Sequence, residues 1–129
     1  MSEYKEIGFT SLTCWQKARE LRLTIKDCVL SFPELEKYRL SDQLTRASRS
    51  VTNNIAEGYG RYHYKESVHF YFNARGSMFE ILDHLIIAKD ENLLSTEVFN
   101  NLSNSTLDCI KLLNGYINHI KNKSQNQSL

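Results

Sequence analysis

Residues 40 to 61 carry two stripes side by side. Apolar side chains recur at Leu40, Leu44, Ala47, Val51 and Ile55, and a polar line follows Gln43, Arg46, Ser50, Asn54 and Glu57. Spacings of three and four predict a single helix. An ordinary surface helix sets its polar face opposite its core face, whereas here hydrogen-bonding groups border the apolar seam. Groups in that position join two surfaces or hold a partner.

The rest of the chain reads as three more helices. Trp15, Ala18, Leu21, Ile25, Cys28 and Phe32 predict a first helix over about 12–31 that Pro33 ends, because a residue preceding proline is pushed out of the helical region. Gly58 and Gly60 are expected to supply the backbone freedom of a helix end. A third helix over roughly 63–92 aligns Val68, Tyr71, Ala74, Met78, Leu82, Leu85 and Ala88. After a break at 92–94, Ser95 is placed to cap a fourth helix carrying Val98, Leu102, Cys109, Leu112, Leu113, Tyr116, Ile117 and Ile120. No segment alternates with period two. The expected fold is all-α, an antiparallel up-down-up-down four-helix bundle over 12–120, with an irregular lead-in at 1–11 and a polar, flexible tail at 121–129.

The third helix has more apolar surface than one core absorbs. Phe70, Tyr71 and Phe72 fan around the axis at about 100° intervals, and Ile81-Leu82 and Leu85-Ile86-Ile87 do the same. The surplus predicts a homo-oligomer.

Overall charge adds little, with 16 Lys and Arg against 15 Asp and Glu. Its distribution matters more. Residues 37–65 hold Lys37, Arg39, Arg46, Arg49, Arg61 and Lys65 against only Asp42 and Glu57. Arg39, Arg49, Arg61 and Lys65 fall away from the apolar seam, and Tyr59, Tyr62 and Tyr64 interleave with Arg61 and Lys65. Arginine pairs with phosphate and tyrosine stacks on unpaired bases, so these seven residues form the candidate nucleic-acid surface. Gln43, Arg46, Ser50, Asn54 and Glu57, with Arg75 and Glu80 on the third helix, form a candidate structural network or subunit interface. In that network Arg46 or Arg75 is expected to neutralise Glu57 or Glu80. The unpaired spacing of Cys14, Cys28 and Cys109, with no apolar leader, suggests reduced thiols in a cytoplasmic protein without a membrane segment.

Catalytic chemistry finds little support. A di-iron bundle needs two Glu-x-x-His motifs, but Glu80 and His84 are four apart, and His63, His69 and His119 lack ligand spacing. Gly58-Tyr59-Gly60 lacks the third glycine of a phosphate loop and follows a helix instead of a strand. Ser48, Ser50 and Ser77 have no nucleophile elbow, and Cys14 has no partner base. We therefore expect no enzyme activity, metal, cofactor or small-molecule substrate.

Several blocks together resemble the four-helix-bundle proteins encoded in intervening sequences of bacterial large-subunit ribosomal RNA genes. They are Trp15-Gln16-Lys17-Ala18, Phe32-Pro33 with Glu36, Leu40 with Gln43-Leu44 and Arg46-Ala47, and Ser50-Val51. Asn54-Ile55-Ala56-Glu57-Gly58 and Gly60-Arg61 follow, then Ala74-Arg75-Gly76-Ser77 with Glu80. The resemblance implies a bundle assembled as a ring, a pentamer. It also implies kinship with the accessory variability determinant proteins of diversity-generating retroelements, which bind nucleic acid and a reverse transcriptase but are strongly basic, unlike this chain. RNA or a ribonucleoprotein is the expected partner, and a protein-interaction scaffold without nucleic acid is the alternative.

Overall fold

The computed structural model describes residues 7–127. Its helices are α1 (Thr13–Val29), α2 (Leu40–Tyr59), α3 (Tyr64–Asp90) and α4 (Thr96–Gln127). Short 3-10 turns lie at Phe9–Ser11 and Glu34–Glu36, and there is no strand among the described residues. α1 packs on α2 and α4, and α3 packs on the same two, so the four helices enclose one core. α2 and α3 share the most extensive interface. Along it Ser50 meets Ser77 and Gly58 meets Tyr71, so these two helices run in opposite directions.

Each boundary has a local cause. α1 stops at Val29, short of the expected 31, because the amides of Leu30, Ser31 and Phe32 tighten onto carbonyls three residues back as Pro33 approaches. Phe32 is nonetheless buried, outside the helix. At the end of α3 the Leu93 amide bonds Ala88 O at 2.8 Å and the Asn92 amide bonds Lys89 O at 3.1 Å, a Schellman closure. Asn92 supplies its left-handed residue, with φ of 61°. Ser95 Oγ then accepts the Val98 amide at 3.2 Å, capping α4 as expected. α4 continues to Gln127, although the side chains of residues 121–126 touch little of the core.

All five apolar positions of the α2 stripe are buried. On α3 the stripe shifts: Ser67, Tyr71, Ala74, Met78, Ile81, Leu85 and Ala88 form one buried line of four-three spacing, and Val68 and Leu82 flank it, partly covered. On α4 the line Leu102, Cys109, Leu113 and Ile117 is completed by Thr106, fully buried, whose hydroxyl donates to Leu102 O at 2.7 Å. Val98 stays exposed.

Gly58 is a correction. It has no positive φ and lies inside α2. A Cβ there would sit 2.6 Å from Tyr71 Cε1 and 3.0 Å from Ser67 O, so the glycine is required by the closeness of α3. Gly60 closes α2 in an ordinary helical conformation, with φ of −75°. Gly58→Ala is therefore expected to destabilise the protein by about 1–3 kcal/mol in urea unfolding, since a backbone oxygen cannot yield as a side chain can. Gly115→Ala, with open space around its Cβ, is expected to stabilise by about 0.5–1 kcal/mol.

The thiols of Cys14 and Cys109 face the core, and burial pushes each up to about 11, from an ordinary 9.0. The folded state thus keeps protons that the unfolded chain releases above pH 9. Stability is fully present below pH 9 and is lost as pH rises toward 11, by at most about 1.4 kcal/mol per pH unit for each thiol. Burial also raises Tyr71 and Tyr116, which extends the loss above pH 10. Denaturation midpoints measured from pH 8 to 10 are expected to fall, and to fall less in the Cys14→Ala, Cys109→Ala double variant.

Candidate nucleic-acid interface

The turn between α2 and α3 closes one end of the bundle, and the last turns of α4 reach the same end. Between them lies a cleft of about 580 Å³. Tyr59, Arg61, Tyr62 and Tyr64 line it, joined by His63 from the turn and Tyr116 and Lys123 from α4. No carboxylate is among its lining residues.

The cleft has a packed base and an exposed rim of rings. Tyr71, buried, meets Tyr116 edge-on with ring centroids 5.4 Å apart. Burial, followed by the neighbouring Tyr116, raises the Tyr71 phenol well above the ordinary tyrosine range, so the base is uncharged. Ser67 Oγ donates to Arg61 O at 3.2 Å, pinning the turn onto α3. Tyr62 stands 94 % exposed and meets His63 edge-on at 5.0 Å. Tyr59 is half covered, because Gly8 (φ 78°) lays its backbone against the ring: a Cβ on Gly8 would stand 2.6 Å from Tyr59 Cε1.

Arg61 is held twice. Its guanidinium donates to Glu57 Oε1 at 2.8 Å and lies 4.7 Å from the centroid of the Phe70 ring. An anion entering the cleft competes with Glu57 for this arginine. Lys65 is exposed beside the cleft without lining it. Arg39 precedes α2 at the far end of the bundle, about 30 Å away, and Arg49 lies about 15 Å back along α2. The seven residues of the candidate surface thus divide, with four in the cleft and three outside it.

The polar stripe of α2 also divides. Ser50 Oγ meets Ser77 Oγ at 2.8 Å, and Asn54 Nδ2 donates to Ser50 O at 2.8 Å and Ser50 Oγ at 3.0 Å, a compact knot between α2 and α3. Gln43 is exposed. The expected long-range neutralisation gives way to local pairs. Arg46 pairs with Asp42 at 3.1 Å, Glu57 with Arg61, and Glu80 with His84 at 3.1 Å, each partner four residues away on the same helix or its end. That spacing stacks side chains on one helix face and is satisfied before any cross-helix reach. Arg75 instead donates to Asn114 Oδ1 at 2.7 Å across to α4, while covering Phe72 at 4.9 Å.

Among the described residues no group of three or more His, Cys, Asp or Glu is placed to hold a metal ion, and no helix is long and apolar enough to cross a membrane.

The family model of the 23S rRNA-intervening sequence proteins matches residues 10–115. Among solved structures, the chain is similar to a protein of unknown function from the S23 ribosomal protein family of Bacteroides thetaiotaomicron. The two share 18 % identity and a TM-score of 0.73, over 81 % of this chain and 98 % of that one. At that identity the likeness speaks for the fold. Among curated proteins none matches the chain.

Proposed function

The chain belongs to the 23S rRNA-intervening sequence protein family, and on that premise we propose that it is a non-enzymatic, self-associating bundle that binds RNA at its α2–α3 end. The observation that carries this reading is the cleft itself. Five tyrosines, a histidine, Arg61 and Lys123 converge there, with no acid in its lining. Exposed rings on a cationic rim suit unpaired bases flanked by phosphates, with stacking worth about 1–3 kcal/mol per base.

Self-association rests on α3. Phe72, Phe79 and Ile86 recur every seven residues and are 46 %, 54 % and 49 % exposed. That period lines one edge of a helix, the seam that a neighbouring helix covers. Gly76 lies on the same edge between the two phenylalanines with nothing within 4 Å of its would-be Cβ. A helix-interior glycine is unfavourable by about 1 kcal/mol relative to alanine, and nothing inside the subunit accounts for it.

A scaffold without nucleic acid is the second reading, favoured by a groove of about 730 Å³ between α1 and α4. Leu21, Cys109 and Leu112 line it, with Lys17, Glu20, Asp108 and Lys111 along it as well. Apolar lining with charges of both signs suits an amphipathic helix.

Binding of labelled single-stranded RNA is expected to weaken steeply with salt, and Tyr62→Ala to weaken it by about 5- to 100-fold. Glu57→Gln is expected to tighten it severalfold, because Arg61 is released to phosphate. No binding at low salt would leave the scaffold reading. Light scattering is expected to give a mass of more than one subunit, reduced by Phe79→Glu, while a monomeric wild type would overturn self-association.

A further inference from the structure

A second cationic concavity lies away from the cleft, between α1 and α2. Arg22 and Lys26 are four apart on α1, so they stand on one face, and Arg49 reaches toward them from α2. Thr45, Ser48 and Leu23 complete the lining of a groove of about 330 Å³ that contains no acidic residue. Arg22 Nη1 donates to Thr52 Oγ1 at 2.8 Å, which holds that guanidinium at the helix junction. The Thr45 hydroxyl donates to Ser41 O and the Ser48 hydroxyl to Thr45 O, so the groove's outward donors are the cations. Arg46, three residues before Arg49, is neutralised by Asp42, whereas neither Lys26 nor Arg49 is in an ion pair among the described residues.

We infer that this groove is a phosphate clamp for the backbone of the bound RNA strand. The inference rests on the RNA reading above and assigns that reading a second, chemically different contact. Arginine offers a planar fork of donors to phosphate oxygens, and lysine adds a point charge. No aromatic ring lines the groove, so it has nothing on which a base stacks. Contacts of this kind position a strand and carry no base preference. The clamp and the cleft thus divide the work: charge at α1–α2, stacking at the α2–α3 turn.

Two probes separate these roles: a short single-stranded RNA, and an oligomer of abasic spacer phosphodiesters that has charge but no bases. Both are titrated across a salt series into wild type, a Lys26→Ala, Arg49→Ala variant and a Tyr62→Ala, Tyr64→Ala variant. All four substituted side chains are exposed or half exposed, and circular dichroism verifies the fold of each variant. The clamp predicts that the groove variant loses abasic binding at least tenfold. For RNA, the slope of log affinity against log salt becomes shallower by about 0.7 for each phosphate that the variant no longer neutralises. The cleft variant keeps abasic binding and the full slope but loses affinity for RNA. A groove variant that matches wild type on both probes overturns the clamp and leaves the cleft standing. A cleft variant that matches wild type on RNA, while the groove variant loses it, overturns the cleft and keeps the clamp. A wild type that binds neither probe overturns both.

Discussion

The close approach of α2 to α3 at Gly58 sets the geometry of everything at that end of the bundle. With no Cβ at residue 58, the Tyr71 ring lies directly on the α2 backbone, and Ser67 comes near enough for its carbonyl to fill the same space. That approach leaves room for only a tight turn from 60 to 63, which Ser67 then ties down through Arg61 O. Tyr71 also meets Tyr116 and so brings α4 to the same point. Three helices are thereby registered against one another by a single missing methyl group. Packed interiors have no slack to absorb a change of that size.

Much of the fold is legible in the sequence because every apolar residue of the α2 stripe goes where the spacing of three and four puts it, with Ser48 and Thr52 buried beside it. α3 is harder to read. Its buried line is Ser67, Tyr71, Ala74, Met78, Ile81, Leu85 and Ala88, and apolar Val68 and Leu82 flank that line closely enough that spacing alone favours them over Ser67 and Ile81. Thr106 escapes notice for a different reason: its hydroxyl is satisfied within its own helix, so a polar residue occupies a core position without an unmet hydrogen bond. Gly58 misleads, because a glycine near a helix end resembles a terminator, and only the opposing helix reveals its steric role.

The candidate site follows the same division. Tyr59, Tyr62, Tyr64 and Arg61 are neighbours in sequence, and the turn keeps them neighbours in space. Lys123 and Tyr116 belong to a distant helix, and nothing in their local sequence announces that α4 ends beside the turn. Arg22 and Lys26 lie on α1, outside the basic stretch of 37–65, and only the packing of α1 on α2 sets them beside Arg49. Pairs four residues apart form as local chemistry dictates, whereas meetings between helices require the packed bundle. His63 has no ligand spacing in the sequence, yet it enters the site as part of the cleft wall.

The unequal lengths of the helices have a consequence for time as well as shape. α4 has 32 residues and α1 has 17, so α4 is about 48 Å long and α1 about 26 Å. The last two turns of α4, from Lys121 to Asn126, place almost nothing in the core. Amide protons there are shielded only by the helix's own hydrogen bonds, and the free energy needed to open those turns is a small fraction of that needed to unfold the whole. The Lys123 side of the cleft therefore stands on exposed helix and the Tyr71 base on the buried core, the two extremes of local opening free energy. A cleft with one wall on the core and one wall beyond it has room to widen and narrow without disturbing the bundle.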